Sequence, residues 1–290
     1  MPELPEVQTI VDDLNKKIIG RKIAGIWCDW PKTIKKPKAV NLEKEIQGLK
    51  IEKVKRRGKN ILIYLSGNHL LLIHLKMTGH LLYGKWQIKN NKPLSSRKEF
   101  LSEKVNSYIH VIFYLDNGFE LALSDLRKFA KVIFGSVEEI EKLGELHKIG
   151  PEPLNPRFKL NDFKKIISRQ KRKIKQVLMD PKIIAGIGNI YSDEILWQAR
   201  VHPLRPANSL DSKELGGIYK AMKEILKKAL KLRGTSTSDF RDLLGKPGSY
   251  GLKLLAYQKE GEPCLRCGAI MKRLKVGGRS SSYCPNCQKI

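Results

Sequence analysis

Four of the five cysteines stand as two Cys-x-x-Cys pairs, Cys264/Cys267 and Cys284/Cys287, with sixteen residues between the pairs. Each pair suits a tight turn that aims two thiolates at one tetrahedral ion, and two such turns define a four-cysteine zinc site. Four thiolates leave no coordination position for a reactive water, so the site is read as structural, holding one Zn2+. Clustering at one end of the chain argues against a disulfide framework, and Cys28 stands apart. The spacing predicts a zinc ribbon over 263–290 whose hairpin carries Arg279 near its tip, within Gly277-Gly278-Arg279-Ser280. A free arginine in so small a setting, on a strongly basic chain, suits a phosphate.

A module this short leaves most of the chain to other cores. With 290 residues, 41% of them hydrophobic, two further domains fit. Val7, Ile10, Val11, Leu14 and Ile18 recur at helical spacing, with Gly20 as a stop. From about 22 to 135 short apolar runs replace that pattern, at 61–65, 70–75, 109–115 and 119–123. Asp116-Asn117-Gly118 joins two of them as a hairpin turn, and Ser66-Gly67-Asn68 reads as another. The lysine-rich stretch 86–107 is expected to be a long surface loop. Gly150-Pro151-Glu152-Pro153 through Pro156 reads as a linker. Helical patterning then covers about 161–169, 172–179, 189–199 and 211–232, before periodicity fades around Gly245-Lys246-Pro247-Gly248. The fold class is therefore α+β and multidomain. A β-sandwich with a leading helix is expected over 1–135, a linker over 136–155, a helical domain with a flexible loop over 156–262, and the ribbon over 263–290.

Charge narrows the partner. Lys and Arg number 56 against 29 Asp and Glu, a net charge of +27, which favours a polyanion. No apolar run reaches the roughly 18 residues a membrane span needs. The opening Met-Pro-Glu-Leu-Pro-Glu is acidic and Pro-rich, unlike a signal peptide. The residues alone point to a soluble intracellular protein whose polyanionic partner is DNA or RNA rather than a membrane.

The N-terminus carries a second chemistry. Removing Met1, which a following Pro favours, would expose the secondary amine of Pro2. An α-amine has a pKa near 8, so a useful fraction is unprotonated at neutral pH. Such an amine can attack a sugar carbon and form an iminium. Glu3 and Glu6 flank it, and a carboxylate beside a reacting sugar can serve as general acid or base. The same residues also suit a plain helix start, with Pro and acids in the first turn.

The chain resembles the formamidopyrimidine-DNA glycosylase (Fpg, MutM) family. The resemblance rests on Met1-Pro2-Glu3-Leu4-Pro5-Glu6-Val7, His74-Leu75-Lys76-Met77-Thr78-Gly79 and Gly150-Pro151-Glu152-Pro153-Leu154. It continues through Leu178-Met179-Asp180 with Ala185-Gly186-Ile187-Gly188-Asn189-Ile190-Tyr191, then Gly245-Lys246-Pro247-Gly248 and the terminal cysteines. These motifs run in the family's order along nearly the whole chain. The resemblance implies that the helical domain is a helix–two-turns–helix domain. It also implies a bifunctional DNA glycosylase and AP lyase of base excision repair, excising oxidised purines such as 8-oxoguanine and formamidopyrimidines. Only this resemblance implies a monomeric, cytoplasmic, nucleoid-associated protein on double-stranded DNA. Pro2 would be the nucleophile on the sugar C1′, Glu3 the acid at the ring oxygen, and Glu6 a residue holding the active site. Lys59 would grip phosphate near the target, and Asn189 and Arg279 would clamp the phosphates around the flipped nucleotide. Enzymes that act on a base take it out of the stack. Met77, Arg127 and Phe129 would fill the hole left behind, the apolar pair as wedges and the arginine at the orphaned base. His74 and Lys175 complete the expected DNA contacts, with Lys171, Arg172 and Lys173 as further phosphate contacts. Asn189 is also read as a helix cap beside backbone N–H groups that can meet a phosphate.

Position 8 is Gln where the family commonly has Glu, and Leu126 and Lys128 replace the usual Pro and Arg beside Arg127 and Phe129. Those changes bear on loop geometry and on preference for the opposite base. His69 and His147 read as structural or exposed. Two rival readings are an endonuclease VIII-type glycosylase for oxidised pyrimidines and a non-catalytic zinc-ribbon nucleic-acid-binding protein. The latter explains the charge and the cysteines but neither the N-terminus nor Asn189.

Overall fold

The computed structural model describes residues 1–96, 100–237 and 239–290. The chain forms two compact units, one of residues 1–147 with 232–249 and one of residues 148–231 with 250–290.

The first unit begins with helix α1, Leu4–Lys17. Pro5 and Glu6 sit in its first turn and Lys16 and Lys17 in its last, each sign matched to the helix dipole. Leu4, Val7, Ile10, Val11 and Leu14 form its buried stripe. Gly20 follows at φ +81°, a left-handed conformation that glycine adopts without a Cβ penalty. Strands β1 (Ile23–Cys28) and β2 (Ile34–Lys36), helix α2 (Ala39–Ile46), and strands β3 (Ile51–Arg57), β4 (Asn60–Leu65), β5 (His69–His74) and β6 (His80–Gly84) come next. They are followed by β7 (Trp86–Lys89), β8 (Lys92–Ser95), β9 (Ile109–Leu115), β10 (Glu120–Ser124) and β11 (Lys131–Ser136), then short helices α3 (Val137–Glu141) and α4 (Gly144–His147). One sheet has the order β1-β9-β10-β6 and the other β2-β11-β5-β4-β3. Apolar side chains of both sheets and of α1 and α2 share one core, including Phe113, Leu121, Ile61, Ile73, Phe134, Leu14 and Leu42. This is the expected sandwich with its leading helix. The Asp116–Gly118 turn joins β9 to β10, with Leu121 opposite Phe113.

The segment 86–107 departs from the expected loop. Strands β7 and β8 pair as a hairpin, Trp86 opposite Ser95. Asn90 and Asn91, both at positive φ, make its turn. Trp86 and Leu101 are buried beside Leu82, Ile109 and Ile112, so two apolar anchors hold a stretch whose lysines made it read as solvated. Residues 97–99 of that stretch lie outside the described residues. Residues 232–249, read as part of the helical domain, pack in the first unit, with Phe240 and Leu243 in the sandwich core.

The second unit holds helices α5 (Leu160–Ile167), α6 (Ile174–Met179), α7 (Asn189–Ala199) and α8 (Ser212–Lys231), near the ranges that periodicity indicates. Strands β12 (Lys272–Val276) and β13 (Arg279–Tyr283) form the ribbon hairpin. Among the described residues, no helix is long and apolar enough to cross a membrane.

Candidate active site

In the first unit, Pro2 and Glu3 are buried just ahead of α1, with Glu3 as its N-cap residue. Glu6, 2% exposed, is a clamp with two jaws. Its Oε2 accepts the Glu3 backbone N–H at 2.7 Å, and its Oε1 accepts the Thr235 backbone N–H at 2.7 Å. A Cβ on Gly234 would lie 2.7 Å from Glu6 Oε1, so glycine is what lets that backbone close on the carboxylate. Burial pushes the Met1 α-amine below its usual value, the nearby Glu3 and Glu6 oppose that, and the charge of Lys59 adds to it. Lys59 itself sits in the two-residue turn between β3 and β4, after Gly58 at φ +57°.

His74 closes β5, opposite Asn60 on one side and Lys131 on the other. Its Nδ1 accepts the Lys76 backbone N–H at 3.0 Å, which leaves the ring proton on Nε2. Burial, and then the charges of Lys76, Lys131 and Lys59, lower its pKa to about 3. The imidazole is therefore a neutral N–H donor at any physiological pH.

Met77, Arg127 and Phe129 come together at the surface. Met77 is 37% exposed and Phe129 51%, and the Arg127 guanidinium lies 4.7 Å from the Phe129 ring centroid. Exposure of two large apolar side chains is costly unless something covers them, and it removes the reading of either as a core residue. A hub that sequence reasoning missed holds them. Asp125, 2% exposed, accepts from the backbone N–H of Ala130 at 2.6 Å and of Arg127 at 3.3 Å, and from the Thr78 hydroxyl. Thr78 follows Met77, so one carboxylate ties both loops. Lys128, at φ +57°, rests its ammonium 4.2 Å over the Trp30 ring, giving the unusual Leu126–Lys128 turn an aromatic support.

In the second unit, Gly188 rather than Asn189 is the N-cap of α7, and Asn189 is the first helical residue. Its side chain is thus released from capping, and its Oδ1 is buried without a partner among the described residues. Asn189 lines a cleft of about 310 Å³ with Arg273, Arg279, Tyr257 and Gln258. Arg279 opens β13 directly after the Gly277-Gly278 turn. Arg273 is paired with Glu260 of the same cleft at 3.1 Å, so Arg279 and the N-terminus of α7 are the features of this cleft suited to an anion.

Lys175 is the correction. Expected at a phosphate, it is fully buried, with Nζ 2.5 Å from Asp193 Oδ1 and 3.2 Å from the Ser280 carbonyl. Asp193 also accepts from the Ser281 hydroxyl and the Ser282 backbone N–H. The pair thus fixes β13, and Arg279 with it, onto α6 and α7 instead of meeting a ligand. Arg172 pairs with Asp180 at 2.8 Å. The neighbouring Glu194, which spacing could not flag, accepts the backbone N–H groups of Leu255, Ala256 and Tyr257 at 2.8–3.2 Å, setting Tyr257 at the cleft.

The sulfurs of Cys264, Cys267, Cys284 and Cys287 all lie within 4.8 Å of one another. Four Zn–S bonds of about 2.3 Å arranged tetrahedrally place sulfurs about 3.8 Å apart, so the donor set fits one structural zinc. Trp197, Ala256 and Met271 pack around the two buried cysteines.

Three family descriptions match in order. The formamidopyrimidine-DNA glycosylase N-terminal domain covers residues 1–132, the formamidopyrimidine-DNA glycosylase H2TH domain 149–241, and the zinc finger found in FPG and IleRS 261–290. The formamidopyrimidine-DNA glycosylase of Pelotomaculum thermopropionicum is 40% identical over 290 residues, covering all of both chains. That of Desulforamulus reducens is 39% identical, over all of this chain and 99% of its own. Among solved structures, Lactococcus lactis Fpg bound to DNA containing an abasic site superposes with a TM-score of 0.87 at 33% identity, over 99% of this chain and all of that one. The same enzyme bound to N7-benzyl-Fapy-dG DNA gives 0.87 at 33%, over all of both chains. The chain belongs to the formamidopyrimidine-DNA glycosylase family.

Proposed function

We propose that this chain excises oxidised purines from duplex DNA and then cleaves the strand, using the secondary amine of Pro2 after removal of Met1. The observation that carries the reading is the buried Pro2 beside the Glu3 and Glu6 carboxylates, in a setting where burial lowers the pKa of the Met1 α-amine one residue before it. The Pro2 nitrogen lone pair attacks C1′ while Glu3 protonates the ring oxygen. The C1′–N bond breaks, and its electron pair leaves with the base. Pro2 then loses its N–H proton, and its lone pair opens the C1′–O4′ bond onto the protonated ring oxygen; the iminium so formed acidifies C2′–H. Loss of that proton expels the 3′-phosphate, a second elimination expels the 5′-phosphate, and water releases the sugar fragment, leaving a one-nucleoside gap. Glu6 keeps the amine in place, Lys59 and His74 Nε2–H hold phosphate oxygens near the target, and Asn189 and Arg279 hold the flanking phosphates. Met77, Arg127 and Phe129 occupy the vacated stack, and the loop around Lys246 covers the everted base. Zinc is structural, and no step passes through it. The reading makes the protein a monomer that works in base excision repair on cytoplasmic, nucleoid DNA.

Borohydride trapping on duplexes with 8-oxoguanine opposite cytosine, followed by mass spectrometry of the N-terminus, tests the proposal. A reduced adduct on Pro2 is expected, and Pro2→Gly should abolish it. Full base release by Pro2→Gly would refute the nucleophile, and normal excision by Glu3→Gln would refute the acid. Faster release of thymine glycol than of 8-oxoguanine would assign the pyrimidine preference instead.

A further inference from the structure

The loop 240–248 is fixed at its base. Phe240 and Leu243 are buried, and the Leu243 carbonyl accepts from Tyr83 N–H on edge strand β6 at 2.8 Å. Within the loop, Asp242 Oδ1 accepts the backbone N–H groups of Leu244 at 3.0 Å and Lys246 at 2.9 Å. These bonds close the turn but leave its outer flank to another segment.

That segment is 100–106. Glu103 pairs with Arg241 at 3.3 Å, and Lys246 Nζ lies 5.2 Å from the Phe100 ring centroid. Asn106, fully buried, reaches the Gly245 carbonyl at 3.5 Å and the Phe100 carbonyl at 2.7 Å through Nδ2. Gly245 stands at φ +83°, and a Cβ there would lie 2.9 Å from Asn106 Nδ2 and 3.2 Å from the Phe100 backbone. The two segments therefore approach as closely as a glycine allows. Asn106 Oδ1 meets His80 Nε2 at 2.8 Å. Burial holds His80 neutral, with its pKa lowered to about 4; its Nδ1 faces the Thr78 carbonyl at 3.3 Å, and the tautomer with the proton on Nε2 donates to the closer Asn106 Oδ1. His80 lies two residues after Thr78, the partner of the Asp125 hub. One buried amide thus joins the strand leading from Met77 to the loop carrying Lys246.

We propose that segment 100–106 is a brace that sets loop 240–248 before DNA binds, with Phe100, Glu103 and Asn106 as positioning residues for recognition of the everted base. The inference rests on the reading of that loop as the cover of the base. Phe100 is 39% exposed and the Glu103 side chain 40%. Contacts that exposed contribute little to global stability, so losing them acts on the loop rather than on the fold.

The test compares the intact protein with Phe100→Ala/Glu103→Ala and with the charge swap Glu103→Arg/Arg241→Glu. Three readouts are taken: hydrogen exchange of residues 240–248, single-turnover release of 8-oxoguanine, and cleavage of a preformed abasic site, which presents no base to cover. The double alanine variant should exchange faster in 240–248 and release base several-fold more slowly. Abasic cleavage and thermal unfolding should stay unchanged, and the charge swap should recover most of the rate. Unchanged exchange and base release, or an equal slowing on abasic DNA, would overturn the brace. A variant lacking residues 244–247 separates the failures. If it releases base at the normal rate, the cover reading is wrong and the brace falls with it. If it is slow while the brace variants are not, only the brace is wrong.

Discussion

Arg127 donates from Nη1 to the thioether sulfur of Met77 at 3.2 Å, so two residues fifty positions apart form one surface feature. Met77 is thereby held against one edge of the guanidinium, which keeps its other donors for an outside acceptor. A base left without its partner offers such acceptors, and a good bidentate contact discriminates by about 1–3 kcal/mol. Arg127→Ala should therefore cut the preference for lesions opposite cytosine over adenine by about tenfold or more. Single-turnover excision on the two duplexes measures it, and an unchanged ratio would remove Arg127 from recognition of the opposite base.

The amine predicts a pH profile. Burial lowers the pKa of the Met1 α-amine, and a Pro2 amine exposed in the same buried setting is expected to shift the same way from an ordinary value of about 8. The neutral amine is the nucleophile, so its fraction falls as pH drops through that lowered value. Borohydride trapping on abasic DNA should rise with pH and level off before pH 8. A rate still climbing well above pH 8 would show an amine that solvent stabilises in its charged form.

Legibility in the sequence followed the range of the interaction. The Asp116-Asn117-Gly118 hairpin, α1 and the cysteine pairs are local patterns, and the structure has them where spacing puts them. The polar scaffolding was not legible, because its partners are far apart in the chain. Glu6 meets Thr235, Thr78 meets Asp125, and Asn106 meets Gly245. A buried carboxylate looks in sequence like any acid, and its partner is often a backbone N–H that carries no residue identity. Lys175 failed for the same reason. Among many surface lysines, nothing local distinguishes the one whose charge is matched from within. In the 86–95 hairpin, lysines masked the alternation around Trp86.

Zinc removal should act on DNA binding through Arg279. The hairpin that carries it is attached to the cysteine pairs, and structural zinc supplies about 10–16 kcal/mol of apparent binding energy in small zinc modules. Chelation, or Cys284→Ser, should open 263–290 to protease and weaken duplex binding while the sandwich stays folded. Co2+ substitution should give the thiolate charge-transfer band of a four-sulfur site. Full affinity for duplex in the metal-free protein would show that the ribbon is not what presents Arg279.

The buried Lys175–Asp193 pair predicts a sign that a surface contact would not give. Lys175→Met leaves the Asp193 carboxylate buried and uncompensated in charge, with Ser281 and Ser282 as its remaining donors among the described residues. Breaking a buried pair from one side costs about 3–5 kcal/mol, whereas replacing both partners by neutral groups is often nearly neutral. Lys175→Met should therefore unfold at much lower urea than the intact protein, and adding Asp193→Asn should restore part of the loss. A phosphate-binding lysine would behave in the opposite way, with unchanged unfolding and a salt dependence of DNA binding shallower by about one unit of slope. Measuring both on the same variant decides between a lysine that holds β13 against α7 and one that reaches the backbone of DNA.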